Sequence, residues 1–239
     1  MSFDNIADIV EQAAGLAMQV RRAQRKDLAP MLHLVTFSGQ VEIAALAFTG
    51  DGHMMAHTMR QALLLRQPKH AVLMMEGWTA RKDLSRDDPD MRALMAGVLT
   101  PSRLPPHKRG EMLTAIGESA SGEQAYAMNY IEPDGSFSEM MASWKLTKEQ
   151  HQAQDGLATH MYPMFLDHYL LRQIPSELRA VLVEHLGSEK KLLHMVNRAC
   201  RKWLASVGPE AEPAEYSKRM DELVTRMRED IGWRKRDAS

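Results

Sequence analysis

The sequence predicts an α+β fold: a mostly antiparallel sheet in the order β-β-α-β-loop-β-β-β, covered by helices and followed by an all-helical C-terminal region. Three observations carry this. The most apolar run, HAVLMMEGW at 70–78, is flanked by Pro68 and Gly77 and has apolar residues at both odd and even positions, which fits a strand covered on both faces. The β-rich stretches 110–119, 124–131 and 136–144 are separated by ASGE and EPDGS, and the second of these orders Pro133 and Gly135 as a turn requires. From Thr147 onward the apolar period becomes helical and stays so.

The elements follow in order. Over residues 4–25, Ile6, Ile9, Val10, Ala13, Leu16, Ala17 and Val20 recur at helical spacing, with Asp4 as N-cap and a basic end at Arg21, Arg22, Arg25 and Lys26 that suits the helix dipole. Pro30 closes the linker, and two strands at 31–37 and 40–48 meet at Ser38 and Gly39. Asp51 caps a helix running to about Gln67, with Met55, Met59, Ala62 and Leu63 as its core stripe. The strand at 70–78 comes next. Residues 80–108 hold charges, prolines and one short helix that starts at Pro89 with Asp88 as cap, and a loop of this length in a compact domain is either functional or disordered.

After 147 the pattern predicts a helix to about Arg172, interrupted near Gly156 and Pro163, then helices at 176–187 and 188–206. A last helix places Tyr216, Met220, Leu223, Met227 and Ile231 on a narrow seam of the kind two helices share. The expected division is therefore a sheet domain over 1–146 and a helical region over 147–239.

Composition narrows the function classes. With 44% hydrophobic residues, 26% charged residues and a formal charge of -1, the chain reads as a soluble globular protein that binds neither nucleic acid nor an anionic membrane by bulk charge. A single cysteine, Cys200, excludes a disulfide framework within the chain and any multi-cysteine metal site, so a cytoplasmic setting is expected. The N-terminal MSFDNIADIVEQ carries acids where a signal peptide carries bases, and no apolar run reaches membrane-spanning length. The 19 methionines suggest an adaptable core or an adhesive surface.

Candidate sites each have an ordinary structural competitor. His53 and His57 stand four apart on one side of a helix, and two imidazoles with a sheet carboxylate, Glu76 or Glu118, can hold a divalent metal. Met54 follows His53 where the zincin motif needs its glutamate, so that protease chemistry is unsupported. The competitor is two polar histidines on an exposed flank.

Glu76 shares a strand face with His70, Val72, Met74 and Trp78, where burial would raise its pKa and suit acid or base catalysis. Its competing role is a satisfied charge at the strand end, partnered by water or Arg81. Trp78 and Arg81, delivered to the edge of the long loop, are the expected lining of a ligand pocket. Glu118 and Glu123 flank a turn, and paired carboxylates can do acid and base work, though turn-flanking glutamates are more often solvated. Lys190, Lys191, His194, Asn197, Arg198, Arg201 and Lys202 form a basic helix face that could neutralise phosphates or be a solvated surface.

No nucleophile elbow, Walker A or G-x-G-x-x-G sequence is present. The leading expectation is a non-catalytic interaction module whose helical C-terminal region mediates self-association or protein-partner binding, with no cofactor. The alternatives are a metal-dependent hydrolase using His53 and His57, and nucleic-acid binding through the basic helix, which the net charge disfavours.

Overall fold

The computed structural model describes residues 5–24, 27–46, 52–145 and 176–207, with single positions between 164 and 174 and between 222 and 229. Its elements are α1 (Ile6–Gln24), β1 (Met31–Val35), β2 (Val41–Ala45), α2 (Gly52–Arg66), β3 (His70–Ala80), α3 (Pro89–Met95), β4 (Arg109–Ser119), β5 (Gln124–Ile131), β6 (Met141–Ala142), α4 (Ser176–Leu186) and α5 (Glu189–Val207). The strands form one six-stranded sheet in the order β2-β1-β3-β4-β5-β6, antiparallel at every step. The fold is α+β. By their contacts, Met1–Gly50 and Gln67–Tyr162 form one compact unit, and Asp51–Arg66 with Pro163–Ser239 form another.

Register decides what each face of the sheet carries. Val72 and Met74 of β3 lie opposite Gly117 and Ala115 of β4, which in turn face Ala125 and Ala127 of β5. These residues form the core with Ile6, Ile9, Val10, Ala13, Ala14 and Ala17, the buried stripe of α1. Small residues on both partners let the helix approach the sheet closely. The limit is reached at Gly117, where an added Cβ would stand 2.3 Å from Val10 Cγ2 and 3.0 Å from Ile6 Cδ1. β3 is buried from His70 to Met74 and emerges at Gly77 and Trp78, so the strand expected to be covered on both faces is so covered over its first half.

One stretch differs from expectation. The strand expected over 136–144 contracts to Met141–Ala142, with a single bridge between Ile131 and Phe137. Serine hydroxyls take over part of its pairing: Tyr130 N–H donates to Ser138 Oγ at 2.9 Å and Tyr126 N–H to Ser143 Oγ at 3.1 Å. Side chains thus satisfy the outer edge of β5 where a longer strand would offer carbonyls. The excursion over 81–108 carries the expected short helix. It holds α3, whose N-cap Asp88 accepts from Asp90 N–H at 2.9 Å, and two short 3-10 turns at Pro101–Arg103 and Pro106–Lys108.

In the second unit, α4 and α5 are in contact, and Leu178 and Leu182 of α4 and Leu192 and Val196 of α5 are buried. Gly187, at φ 82, allows the reversal between them, and Ser188 Oγ accepts from Lys191 N–H at 3.3 Å to start α5. The expected helices over 147–172 and along the seam from Tyr216 to Ile231 fall mostly outside the described residues. No helix among the described residues is long and apolar enough to cross a membrane.

Candidate functional site

The exit of β3 brings together Glu76, Trp78 and the two ends of the excursion. Glu76 Oε2 accepts from Arg21 Nε at 2.9 Å and from the Leu28 backbone N–H at 3.0 Å, while Arg21 Nη2 reaches Oε1 at 3.4 Å. The Glu76 side chain is only 7% exposed and that of Arg21 17%, so this is a largely buried ion pair. The carboxylate takes its donors from α1 and the linker. Its charged partner is Arg21, while Arg81 pairs elsewhere, and these contacts tie the end of α1 and the linker to β3.

Arg81 turns instead to Asp83, donating from Nε at 2.9 Å and Nη2 at 2.7 Å. That bidentate pair raises the Arg81 pKa and lowers that of Asp83, although both groups are exposed. Trp78, 47% exposed, lies under the Arg109 guanidinium, whose carbon is 4.2 Å from the ring centroid. Arg109 Nη1 also donates to the Ser102 carbonyl at 3.2 Å. Lys108 Nζ contacts Asp88 and Asp90 at 2.8 Å each, which raises the ammonium pKa and closes the base of the excursion. Trp78 and Arg81 thus sit at the same end of the sheet, each occupied by a different neighbour.

The other candidates do not join them. Glu118 pairs in register with Ala71, whereas Glu76 pairs with Leu113. The two carboxylates therefore lie on opposite faces, about 16 Å apart along the strand direction. Glu118 is buried and Glu123, across the turn, is exposed. His53 and His57 fall in α2, and their side chains lie outside the described residues. Among the described residues, no three His, Cys, Asp or Glu side chains form a group able to hold a metal ion. On α5, Lys190, Lys191, His194 and Arg198 are exposed on the side away from buried Leu192 and Val196, while the Arg201 side chain lies outside the described residues. Arg179 of α4 pairs with Glu189, beside an open groove of about 570 Å³ lined by Leu171, Ile174, Ala180 and Val183.

Two features were not among the sequence candidates. His33 is buried in β1 with neither ring nitrogen hydrogen-bonded, and burial lowers its pKa. It lies opposite Val72 while His70 lies opposite Val35, so the two imidazoles are diagonal neighbours on one face. The signal was a histidine inside MLHLV, an otherwise apolar strand. The second feature is the β1–β2 hairpin. All five residues of β2 are exposed, with Val41 at 42% and Ile43 at 51%, and Phe37 at the turn is 73% exposed. Gly39, at φ 80, closes the turn, and its N–H donates to the Thr36 carbonyl at 3.0 Å.

In comparisons with known proteins, the chain matches no protein-family model, no curated protein and no solved structure.

Proposed function

We propose that this protein is a non-catalytic interaction module that self-associates through its sheet unit. The observation that carries the reading is the exposed hairpin, where Phe37, Val41 and Ile43 leave apolar surface at one end of the sheet. Large apolar groups clustered in this way mark interaction surfaces more often than isolated exposed residues do. The engagement of Glu76 by Arg21 and its separation from Glu118 agree with a structural use of both carboxylates. Light scattering at rising protein concentration tests the reading. The expected result is a mass that grows beyond the 27.0 kDa of one chain. A mass that stays there at every concentration removes self-association.

A second reading has its own support in the exposed face of α5. Lys190, Lys191 and Arg198 would contact phosphates of a nucleic acid, and the affinity would then fall steeply with salt. Substituting all three by glutamine should abolish such binding. Binding that survives the triple substitution places any nucleic-acid contact elsewhere.

A further inference from the structure

We propose that β2 is a self-pairing edge: a second copy of this chain adds its own β2 antiparallel to the first, centred on Ile43, so that two six-stranded sheets become one. The inference rests on the self-association reading and names the surface and register that produce it.

The backbone carries the argument. Leu46 N–H donates to the Pro30 carbonyl at 2.8 Å and Thr36 N–H to the Gln40 carbonyl at 2.9 Å, which fixes 30 with 46 and 36 with 40 as hydrogen-bonded pairs. Antiparallel ladders alternate, so Leu32 with Ala44 and Leu34 with Glu42 complete the set. Val41, Ile43 and Ala45 therefore turn their N–H and carbonyl groups away from β1, and among the described residues β2 is the outermost strand of the sheet. Such a row is a template for another strand. Edge strands are commonly guarded by charged side chains, proline or a bulge, and VEIAA has a single charge, Glu42, no proline, and pairs with β1 without a break in register.

Charge selects the occupant and the register. Centred on Ile43, antiparallel self-pairing sets Val41 against Ala45 of the second copy, Ile43 against Ile43, and Glu42, the only charge in the strand, against Ala44. Sliding the pair by one step toward the N-terminus would set Glu42 against Glu42, where like charges directly opposite destabilise. Sliding it the other way shortens the ladder. The segment is thus complementary to itself about a two-fold axis, as an isologous contact requires. A five-residue strand pair buries less than the ~1,200 Å² of a standard interface, so this dimer dissociates on dilution.

Sedimentation velocity over a wide concentration range compares the wild type with Ile43→Lys, which places a charge at the two-fold, and with Ile43→Pro, which removes an outward N–H and no bond to β1. The wild type is expected to rise toward twice 27.0 kDa, while both variants keep the wild-type circular dichroism and stay at the single-chain mass. In a Cys200→Ser background, Ile43→Cys is expected to form an intermolecular disulfide on mild oxidation and Glu42→Cys is not, because Glu42 faces Ala44. Variants that associate as strongly as the wild type would overturn the β2 edge and leave self-association itself standing. A wild type that stays monomeric overturns both.

Discussion

Arg21 Nε lies 2.9 Å from Oε2 of Glu76, joining the last turn of α1 to the middle of β3 across 55 positions of sequence. The same carboxylate oxygen accepts the Leu28 N–H, so one side chain fixes the end of a helix and the linker that follows it. Replacing Glu76 by leucine leaves a mostly buried guanidinium with only the exposed Asp27 carboxylate, 3.7 Å away, and strands a backbone donor. The expected loss is about 2–4 kcal/mol, read from urea denaturation. The double variant Arg21→Met, Glu76→Leu should recover part of it, because the poorly compensated charge is then gone. A Glu76→Leu protein as stable as wild type would show that the tie contributes nothing.

Close packing of α1 on β4 leads to a second expectation. Gly117→Ala inserts a methyl where Val10 Cγ2 is 2.3 Å away, on a side chain with little rotamer freedom. The melting temperature should drop, corresponding to about 1–3 kcal/mol, and Val10→Ala in the same chain should relieve most of the added penalty. Equal effects of Gly117→Ala in both backgrounds would contradict the contact.

The third expectation concerns pH. Burial holds the His33 imidazole below its ordinary value of 6.5, so the unfolded chain takes up a proton that the folded chain resists. This contribution to stability is complete above pH 6.5 and is lost as the pH falls toward the folded value. Urea midpoints measured across that window should decline toward acid in the wild type and decline less in His33→Leu. Comparing the two proteins isolates the contribution of His33. Identical slopes would assign the acid sensitivity to other groups.

Lys108 gives a local prediction. Its ammonium holds Asp88, the N-cap of α3, and Asp90 in the first turn of that helix. Lys108→Met should leave the sheet protected and raise backbone hydrogen exchange within 81–107. Unchanged exchange there would mean that the 3-10 turns and the cap suffice to hold the excursion.

The sheet was legible because its signals are local. Alternation and turn chemistry place β4 and β5 to within a residue, and Gly122 and Gly135 take the positive φ that their turns require, 92° and 81°. The cap at Asp88 was legible from three adjacent residues for the same reason. The partner of Glu76 was not, since it comes from another element and Arg81 stood nearer in sequence. The shortening of β6 was hidden too, because Ser136, Phe137 and Ser138 alternate like a strand while a serine hydroxyl does the pairing. His33 looked like one polar residue in an apolar run, and only the β1–β3 register reveals His70 diagonally beside it.

The excursion between β3 and β4 also bears on the order in which the sheet assembles. β4 and β5 are joined by a tight turn, whereas β3 must find β4 across the whole of 81–108. Closing the longer loop costs more chain entropy, about 0.6 kcal/mol for each doubling of length. The β4–β5 hairpin should therefore form early and β3 should dock later, carrying His70 to Met74 into the core as a late event. Once docked, β3 offers its other edge to β1, so on this order of assembly the β1–β2 hairpin should join the sheet after β3.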